Sequence, residues 1–138
     1  KRFPILLLLT ESEETEKNIM KQALYHGLSL SHFLFINRLP HKAYKQMLYL
    51  SDLFLDTTNY GAHTVTADAI YESLPVLSLP GQSFSSRVAY SLLSVSSLDK
   101  LLVTYSSKDY INTIVTFLKN IPLTRQTRSY VSKTRGKC

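Results

Sequence analysis

A histidine, two threonines and an aspartate lie within six residues of one another, directly after a glycine-containing bend: His63, Thr64, Thr66 and Asp68, preceded by Gly61. The apolar run before the bend predicts a strand, and the residues after it predict a helix. The first turn of a helix has unpaired N–H groups and partial positive charge, which favour an anion. The histidine and threonines would add donors there, the aspartate could accept from hydroxyl groups, and the glycine permits a close ligand approach. The pattern therefore predicts a site for a phosphate attached to a sugar.

The same segment is also compatible with a turn that binds no ligand. Thr64 could cap the helix, and Asp68 could favour the helix N-terminus electrostatically, by roughly 0.3–1 kcal/mol. The segment has neither the G-x-G-x-x-G nor the Walker pattern. Asp56, at the end of the strand, could equally serve a ligand or hold the loop. The residues alone leave these alternatives open.

Strands that alternate with helices surround this segment and predict an α/β fold with a parallel, Rossmann-like sheet. Apolar runs predict a fully buried strand at residues 4–10, further strands at 32–37, 53–56 and 75–79, and a short edge strand at 99–105. Caps and helical spacing predict helices at residues 13–26, 41–51, 64–73, 85–94 and 108–120. Ligands of such sheets bind at the carboxyl ends of the strands. We therefore expect the loops 37–41, 56–64 and 80–85 to line one crevice.

Composition narrows the function classes. Of the 16 Lys and Arg residues, five lie in residues 125–138, which leaves 11 basic residues against 10 acidic ones in residues 1–124. We expect residues 1–124 to form the domain and the basic segment 125–138 to be a surface helix or a frayed end, with no specific nucleic-acid binding. The longest early apolar run, residues 5–9, is too short for a membrane span. The single cysteine, Cys138, excludes an intrachain disulfide and weakly favours a reducing compartment.

Two motifs at a fixed separation carry a resemblance to a known family. The first is L-x-L-D-T-x-x-x-x-x-H-T-x-x-x-D, from Leu53 to Asp68, and the second is L-P-V-L-x-L-P-G-x-x-x-x-S-R-V-A-x-S-L-L, from Leu74 to Leu93. Together they resemble the C-terminal catalytic half of protein O-linked N-acetylglucosamine transferases and the related plant SPINDLY-type O-fucosyltransferases. The resemblance covers about residues 3–120, and Arg135-Gly136-Lys137 is similar to a basic R-G-K of the same family.

The resemblance implies the C-terminal, donor-binding half of a GT-B fold, in which a sugar nucleotide lies between two Rossmann-like domains. It implies an inverting, metal-independent transfer of N-acetylglucosamine from UDP-GlcNAc to Ser and Thr hydroxyls of proteins, with no cofactor, by an enzyme of the cytoplasm or the nucleus. The sequence has no Asp-x-Asp pair that would hold a metal ion at the diphosphate. We expect an N-terminal catalytic half and tetratricopeptide repeats to belong to the same longer protein, so that the fragment alone is inactive.

Residue by residue, the resemblance assigns UDP-sugar contacts and no catalytic residue within this chain. His63 and Thr64 match positions at the diphosphate, and Asp68 matches an acid that holds the ribose. The other UDP-sugar-binding assignments are Gly61, Val65, His41 and Tyr44, the last two beside ribose and uracil. Three positions depart from the family pattern: Val65 replaces a threonine, Tyr44 a histidine and Met47 an arginine.

Three rival functions remain at this stage. A Rossmann-like module could bind a nucleotide or a partner without catalysis, and a protein O-fucosyltransferase would share the same motifs. A nucleic-acid-binding fragment would depend on the basic segment 125–138 alone, since no aromatic–basic interleaving accompanies it.

Overall fold

The computed structural model describes residues 4–134, which separate into two units, residues 4–44 and residues 45–134. The expectations for Cys138 and for Arg135-Gly136-Lys137 lie outside these residues. No helix within residues 4–134 is long and apolar enough to span a membrane.

The first unit contains two parallel strands, one long helix and a short 3-10 turn. In chain order they are β1 (Leu6–Leu9), α1 (Glu13–Tyr25), the turn Leu30–His32 and β2 (Phe33–Ile36). As predicted, the Ser12 hydroxyl caps α1 by accepting from the Thr15 N–H, and Gly27, with φ at +71°, follows its end. The prediction that residues 4–10 form a fully buried strand is wrong, because Leu6 and Leu9 at the two ends of β1 are exposed.

The second unit contains two parallel strands and most of the helices. Helix α2 (His41–Leu50) begins in the first unit and ends in the second. It is followed by β3 (Phe54–Leu55), α3 (Thr64–Tyr71), β4 (Val76–Leu77), α4 (Val88–Val95), α5 (Asp99–Leu102), α6 (Ser107–Lys119) and α7 (Ile121–Thr134). Phe54 pairs with Val76 in parallel register. The predicted α/β class with parallel strands is confirmed.

Strand β4 lies at the centre of the second unit's core. Val76 and Leu77 have no exposed surface, so the strand is covered on both faces, as is typical of parallel sheets. The surrounding buried side chains are mainly leucines that follow or precede this strand: Leu74, Leu93, Leu98 and Leu102. This packing fixes the carboxyl end of β4, beside which the loop after β3 folds.

The expected edge strand at residues 99–105 is mostly wrong, because residues 99–102 form the helical turn α5. Leu98 and Leu102 are both fully buried, whereas Lys100 between them is exposed. In a strand all three would share one face, so this pattern suits a helix. Only Val103 pairs as a strand residue, in a single parallel bridge to Ser78. Helix α6 is capped by Ser106, one residue before the predicted Ser107.

Residues 125–134 continue helix α7, and one face of this helix is buried. The buried side chains are Thr124, Thr127, Val131 and Thr134, spaced by three or four residues. Three of the four are threonines, so a count of apolar residues does not reveal this face. Of the two expected forms, residues 125–134 are therefore the surface helix and not a frayed end, and this helix packs through one buried face. The division between residues 1–124 and 125–138 stays a prediction, although α7 runs through it.

Arg128 attaches α7 to the C-terminal ends of two other helices. Its guanidinium donates to the Tyr49 and Ser51 carbonyls at the end of α2, and more weakly to the Glu72 carbonyl at the end of α3, at 3.4 Å. Carbonyl groups in the last turn have no partner within their own helix and carry partial negative charge. Arg128 therefore satisfies groups that would otherwise lack partners, and its charge is favourable there.

Replacement of Arg128 by methionine should lower the free energy of unfolding by about 2 kcal/mol, since it removes charge-assisted hydrogen bonds but keeps an unbranched side chain. Arg125→Met is the matched control, because Arg125 is exposed on the same helix. Its effect should stay within about 0.5 kcal/mol. Urea unfolding followed by circular dichroism measures both. Equal losses in the two variants would contradict this role of Arg128.

Tyr110 connects helix α6 to the end of β3. Its hydroxyl donates to the Asp56 carbonyl at 2.8 Å. Burial, with a smaller contribution from the Asp56 charge, raises the pKa of Tyr110 from 10.0 to about 12. Because this pKa is higher in the folded chain than in the unfolded chain, its contribution to stability is complete below pH 10 and is lost as the pH rises towards 12.

Tyr110→Phe should therefore lower the free energy of unfolding by about 1 kcal/mol at pH 8, the typical net value of one hydrogen bond. The difference between wild type and variant should shrink as the pH is raised above 10. Urea unfolding at a series of alkaline pH values measures that difference, so that other titrating groups cancel. A difference that stays constant over this range would show that the Tyr110 hydroxyl does not carry the effect.

Candidate functional site

Asp56, the residue directly after β3, holds the following loop in place. Its side chain is 2% exposed, and each carboxylate oxygen accepts one hydrogen bond at 2.8 Å. One donor is the Ala62 N–H at the far end of the loop, and the other is the Ser78 hydroxyl directly after β4. A buried carboxylate is tolerated when its oxygens are hydrogen-bonded. Of the two roles left open by the sequence, the structure assigns Asp56 that of holding the loop.

Two glycines allow the loop after β3 to approach the loop after β4. The Gly61 N–H donates to the Ser85 carbonyl at 3.0 Å, and a Cβ on Gly61 would lie only 3.2 Å from the same oxygen. A Cβ on Gly81 would lie 2.7 Å from the Thr58 carbonyl oxygen. The loops 56–64 and 80–85 are thus in contact, whereas the prediction that they line a ligand crevice stays a prediction. The third loop, 37–41, belongs to the first unit, and its place in the crevice stays a prediction.

His63 stands at the N-cap position of helix α3, but its side chain does not cap the helix. Its Nε2 lies 3.1 Å from the Ser85 carbonyl oxygen. A carbonyl oxygen can only accept, so Nε2 carries the hydrogen and Nδ1 is the ring nitrogen left for another partner. The Tyr60 ring stacks on the imidazole, with a centroid distance of 5.1 Å and an interplanar angle of 21°.

Some of the predicted ligand contacts on α3 are already hydrogen-bonded within the chain, and others are available to a ligand. The Thr66 hydroxyl is buried and donates to the Ala62 carbonyl at 2.7 Å, so the expectation that it adds a donor for a ligand is wrong. The Thr64 hydroxyl and the half-buried Asp68 carboxylate have no hydrogen-bond or ion-pair partner in the described part of the chain. The N–H groups of Thr64 and Val65 stand in the first turn, where a helix offers no carbonyl of its own.

His41 and Tyr44, the predicted ribose and uracil contacts, stand one turn apart on α2. His41 is exposed and Tyr44 is half-buried. Both belong to the first unit, whereas Gly61, the residues 63–65 and Asp68 belong to the second. The structure therefore brings Gly61, the residues 63–65 and Asp68 together, in the loop before α3 and in the first five residues of that helix. The UDP-sugar assignments of all seven residues stay predictions.

Three residues that shape the site were not identified from the sequence. Ser85 acts through its backbone carbonyl, which no side-chain pattern reveals, and Ser78 acts as a buried partner of Asp56. Tyr60 could have been noticed as an aromatic residue in the same loop as His63. Arg87 donates to the Gly81 carbonyl at 3.3 Å and lies over the Tyr90 ring. It therefore supports the loop after β4.

A cluster for a metal ion is not found among the described residues. Within residues 4–134, no three side chains of His, Cys, Asp or Glu are arranged to hold one together. The site instead offers backbone N–H groups, one imidazole nitrogen, one hydroxyl and one carboxylate. Donors at the start of a helix beside an acceptor one turn further on can bind an anion that is linked to a hydroxyl-bearing group.

Two curated relatives are similar to most of this chain. One is the UDP-N-acetylglucosamine–peptide N-acetylglucosaminyltransferase of Caenorhabditis elegans, 30% identical over 111 residues, which are 80% of this chain and 10% of that protein. Another is the probable UDP-N-acetylglucosamine–peptide N-acetylglucosaminyltransferase SEC of Arabidopsis thaliana, 26% identical over 135 residues, which are 94% of this chain and 14% of that protein. The chain thus spans a small part of the length of these relatives.

A solved structure shows the same fold. A mutant O-GlcNAc transferase of Thermobaculum terrenum matches 95% of this chain and 26% of its own length, with a TM-score of 0.86 and 20% identity. This match confirms the predicted Rossmann-like α/β fold of the GT-B class. The family model described as glycosyl transferase family 41 matches residues 2–138. The chain therefore belongs to glycosyl transferase family 41.

Proposed function

We propose that this chain is the donor-binding part of an inverting, metal-independent glycosyltransferase that moves N-acetylglucosamine from UDP-GlcNAc to Ser and Thr hydroxyls of proteins. The observation that carries the proposal is the start of helix α3, which no side chain caps. The N–H groups of Thr64 and Val65 lie there next to His63, and Asp68, one turn further on, has no hydrogen-bond or ion-pair partner within residues 4–134. Membership of glycosyl transferase family 41 and the printed names of the two curated relatives support the same donor.

The proposed chemistry is a displacement at the anomeric carbon of the sugar. The acceptor hydroxyl oxygen forms the new bond as the bond to the diphosphate breaks, and the bonding electrons leave with UDP. Negative charge therefore grows on the diphosphate, where preorganised donors stabilise it most in the transition state. Thr64, Val65 and His63 would supply these donors, whereas Asp68 would accept from the ribose hydroxyls. No residue of this chain is assigned to take the acceptor's proton.

The first experiment is calorimetric titration of UDP into the 138-residue chain, with and without EDTA. His63→Ala and Asp68→Ala should each weaken UDP binding roughly tenfold, because each removes a hydrogen bond that involves a charged group. Val65→Thr should bind at least as well as wild type, since it adds a hydroxyl next to the N–H that remains. EDTA should have no effect.

Asp52→Ala is the matched control, since Asp52 is an exposed acid before β3. It should leave UDP affinity unchanged, and circular dichroism should show that every variant is folded. Binding that EDTA abolishes, or that neither His63→Ala nor Asp68→Ala weakens, would contradict the site. The alternatives would then be a non-catalytic nucleotide-binding module or a protein O-fucosyltransferase, and titration with GDP would distinguish these two.

A second experiment tests the requirement for further protein. Since a GT-B active site lies between two domains, the 138-residue chain should bind UDP but transfer no sugar from UDP-GlcNAc to a Ser-containing peptide. Release of UDP and mass of the peptide are the measurements. Measurable transfer by this chain would show that it contains a complete active site. We also propose that an N-terminal half and tetratricopeptide repeats are parts of the same, longer protein. Its proposed location is the cytoplasm or the nucleus.

A further inference from the structure

Tyr60 is an exposed aromatic residue whose only ring contact in the described part of the chain is with His63. The two rings stack at a centroid distance of 5.1 Å, although 66% of Tyr60 is exposed. The Thr57 hydroxyl donates to the Tyr60 carbonyl at 2.7 Å and so restrains the backbone that carries this ring. We infer that Tyr60 is a positioning residue, which fixes the plane of the His63 imidazole so that Nε2 stays at Ser85 and Nδ1 is available to the diphosphate.

The hydrogen bond to Ser85 alone does not fix the imidazole. It restrains one atom, Nε2, while the last torsion of a histidine side chain is broad and roughly two-fold. The ring could therefore turn about the hydrogen bond or swing away from the Ser85 carbonyl. A flat aromatic neighbour restrains the plane, which is the remaining degree of freedom. With both restraints in place, Nε2 faces the Ser85 carbonyl and Nδ1 alone is available to a ligand.

The chemistry of the ligand makes this restraint useful. A diphosphate oxygen only accepts, so His63 can donate to it through Nδ1 only as the imidazolium, with Nε2 still donating to Ser85. The stack holds the ring in one plane, so that Nε2 stays at the Ser85 carbonyl while Nδ1 is open to the ligand. Tyr60 therefore acts through His63 and is not itself assigned a contact with the donor. This role rests on the proposed function, because it requires that His63 contact the diphosphate.

The experiment compares Tyr60→Ala, which removes the ring, with Tyr60→Phe, which keeps the ring and removes the hydroxyl. Long-range proton–nitrogen NMR correlations of the His63 ring, assigned with His63→Ala, report which nitrogen is protonated at pH 8. Wild type and Tyr60→Phe should show one tautomer, with the hydrogen on Nε2, and Tyr60→Ala should show a mixture. UDP affinity should fall about fivefold in Tyr60→Ala and stay within about twofold in Tyr60→Phe.

Tyr105→Ala is the control, because Tyr105 is another exposed tyrosine of the second unit, at 75% exposure. It should change neither measurement. A wild-type tautomer and wild-type UDP affinity in Tyr60→Ala would overturn the inference, as would an equal loss in Tyr60→Phe, which would mean that the hydroxyl contacts the ligand. If wild type itself bound no UDP, the proposed function would fail, whereas the tautomer comparison would still decide whether Tyr60 positions His63.

Discussion

The buried Asp56 carboxylate is the constraint on which the site depends. Its two oxygens are held by the Ala62 N–H and the Ser78 hydroxyl, its own N–H donates to the Leu77 carbonyl, and its carbonyl accepts from Tyr110. One residue therefore links both strands of the second unit, the loop between β3 and α3, and helix α6. Burying an unpaired carboxylate would cost much free energy, so Asp56 can be buried only when these donors are in place. The Ala62 N–H reaches Asp56 only in this conformation of the loop.

This constraint explains why the start of α3 is left open. With the Asp56 side chain bonded to Ala62, it cannot cap the helix, and the His63 ring is bonded to Ser85 instead. Thr66 is likewise engaged with Ala62. Asp56, His63 and Thr66 thus serve the loop, and Thr64 does not cap the helix either, because His63 stands at the N-cap position. The first N–H groups of α3 are left to solvent or to an anion, which is the arrangement expected of a binding site.

The sequence predicted the alternation of strands and helices and the placement of the main loop, because apolar runs, caps and glycines report local structure directly. It did not predict α5 or the buried face of α7, since Leu98–Leu102 is too short a pattern and threonines conceal the α7 face. It proposed Thr66 as a ligand contact because residue type does not reveal that its hydroxyl is already used. The hydrogen bonds from Ser78 to Asp56 and from His63 to the Ser85 carbonyl each join residues 22 apart, and no local pattern reveals them.

The central claim is that a diphosphate binds at the first turn of α3. The most direct measurement is the change in backbone amide NMR signals of the 138-residue chain during titration with UDP. The account predicts that the N–H signals of Thr64 and Val65 move most and shift downfield, as expected for donors to phosphate oxygens. Saturable changes in the chemical shifts of other amides, with those of Thr64 and Val65 unchanged, would contradict the claim.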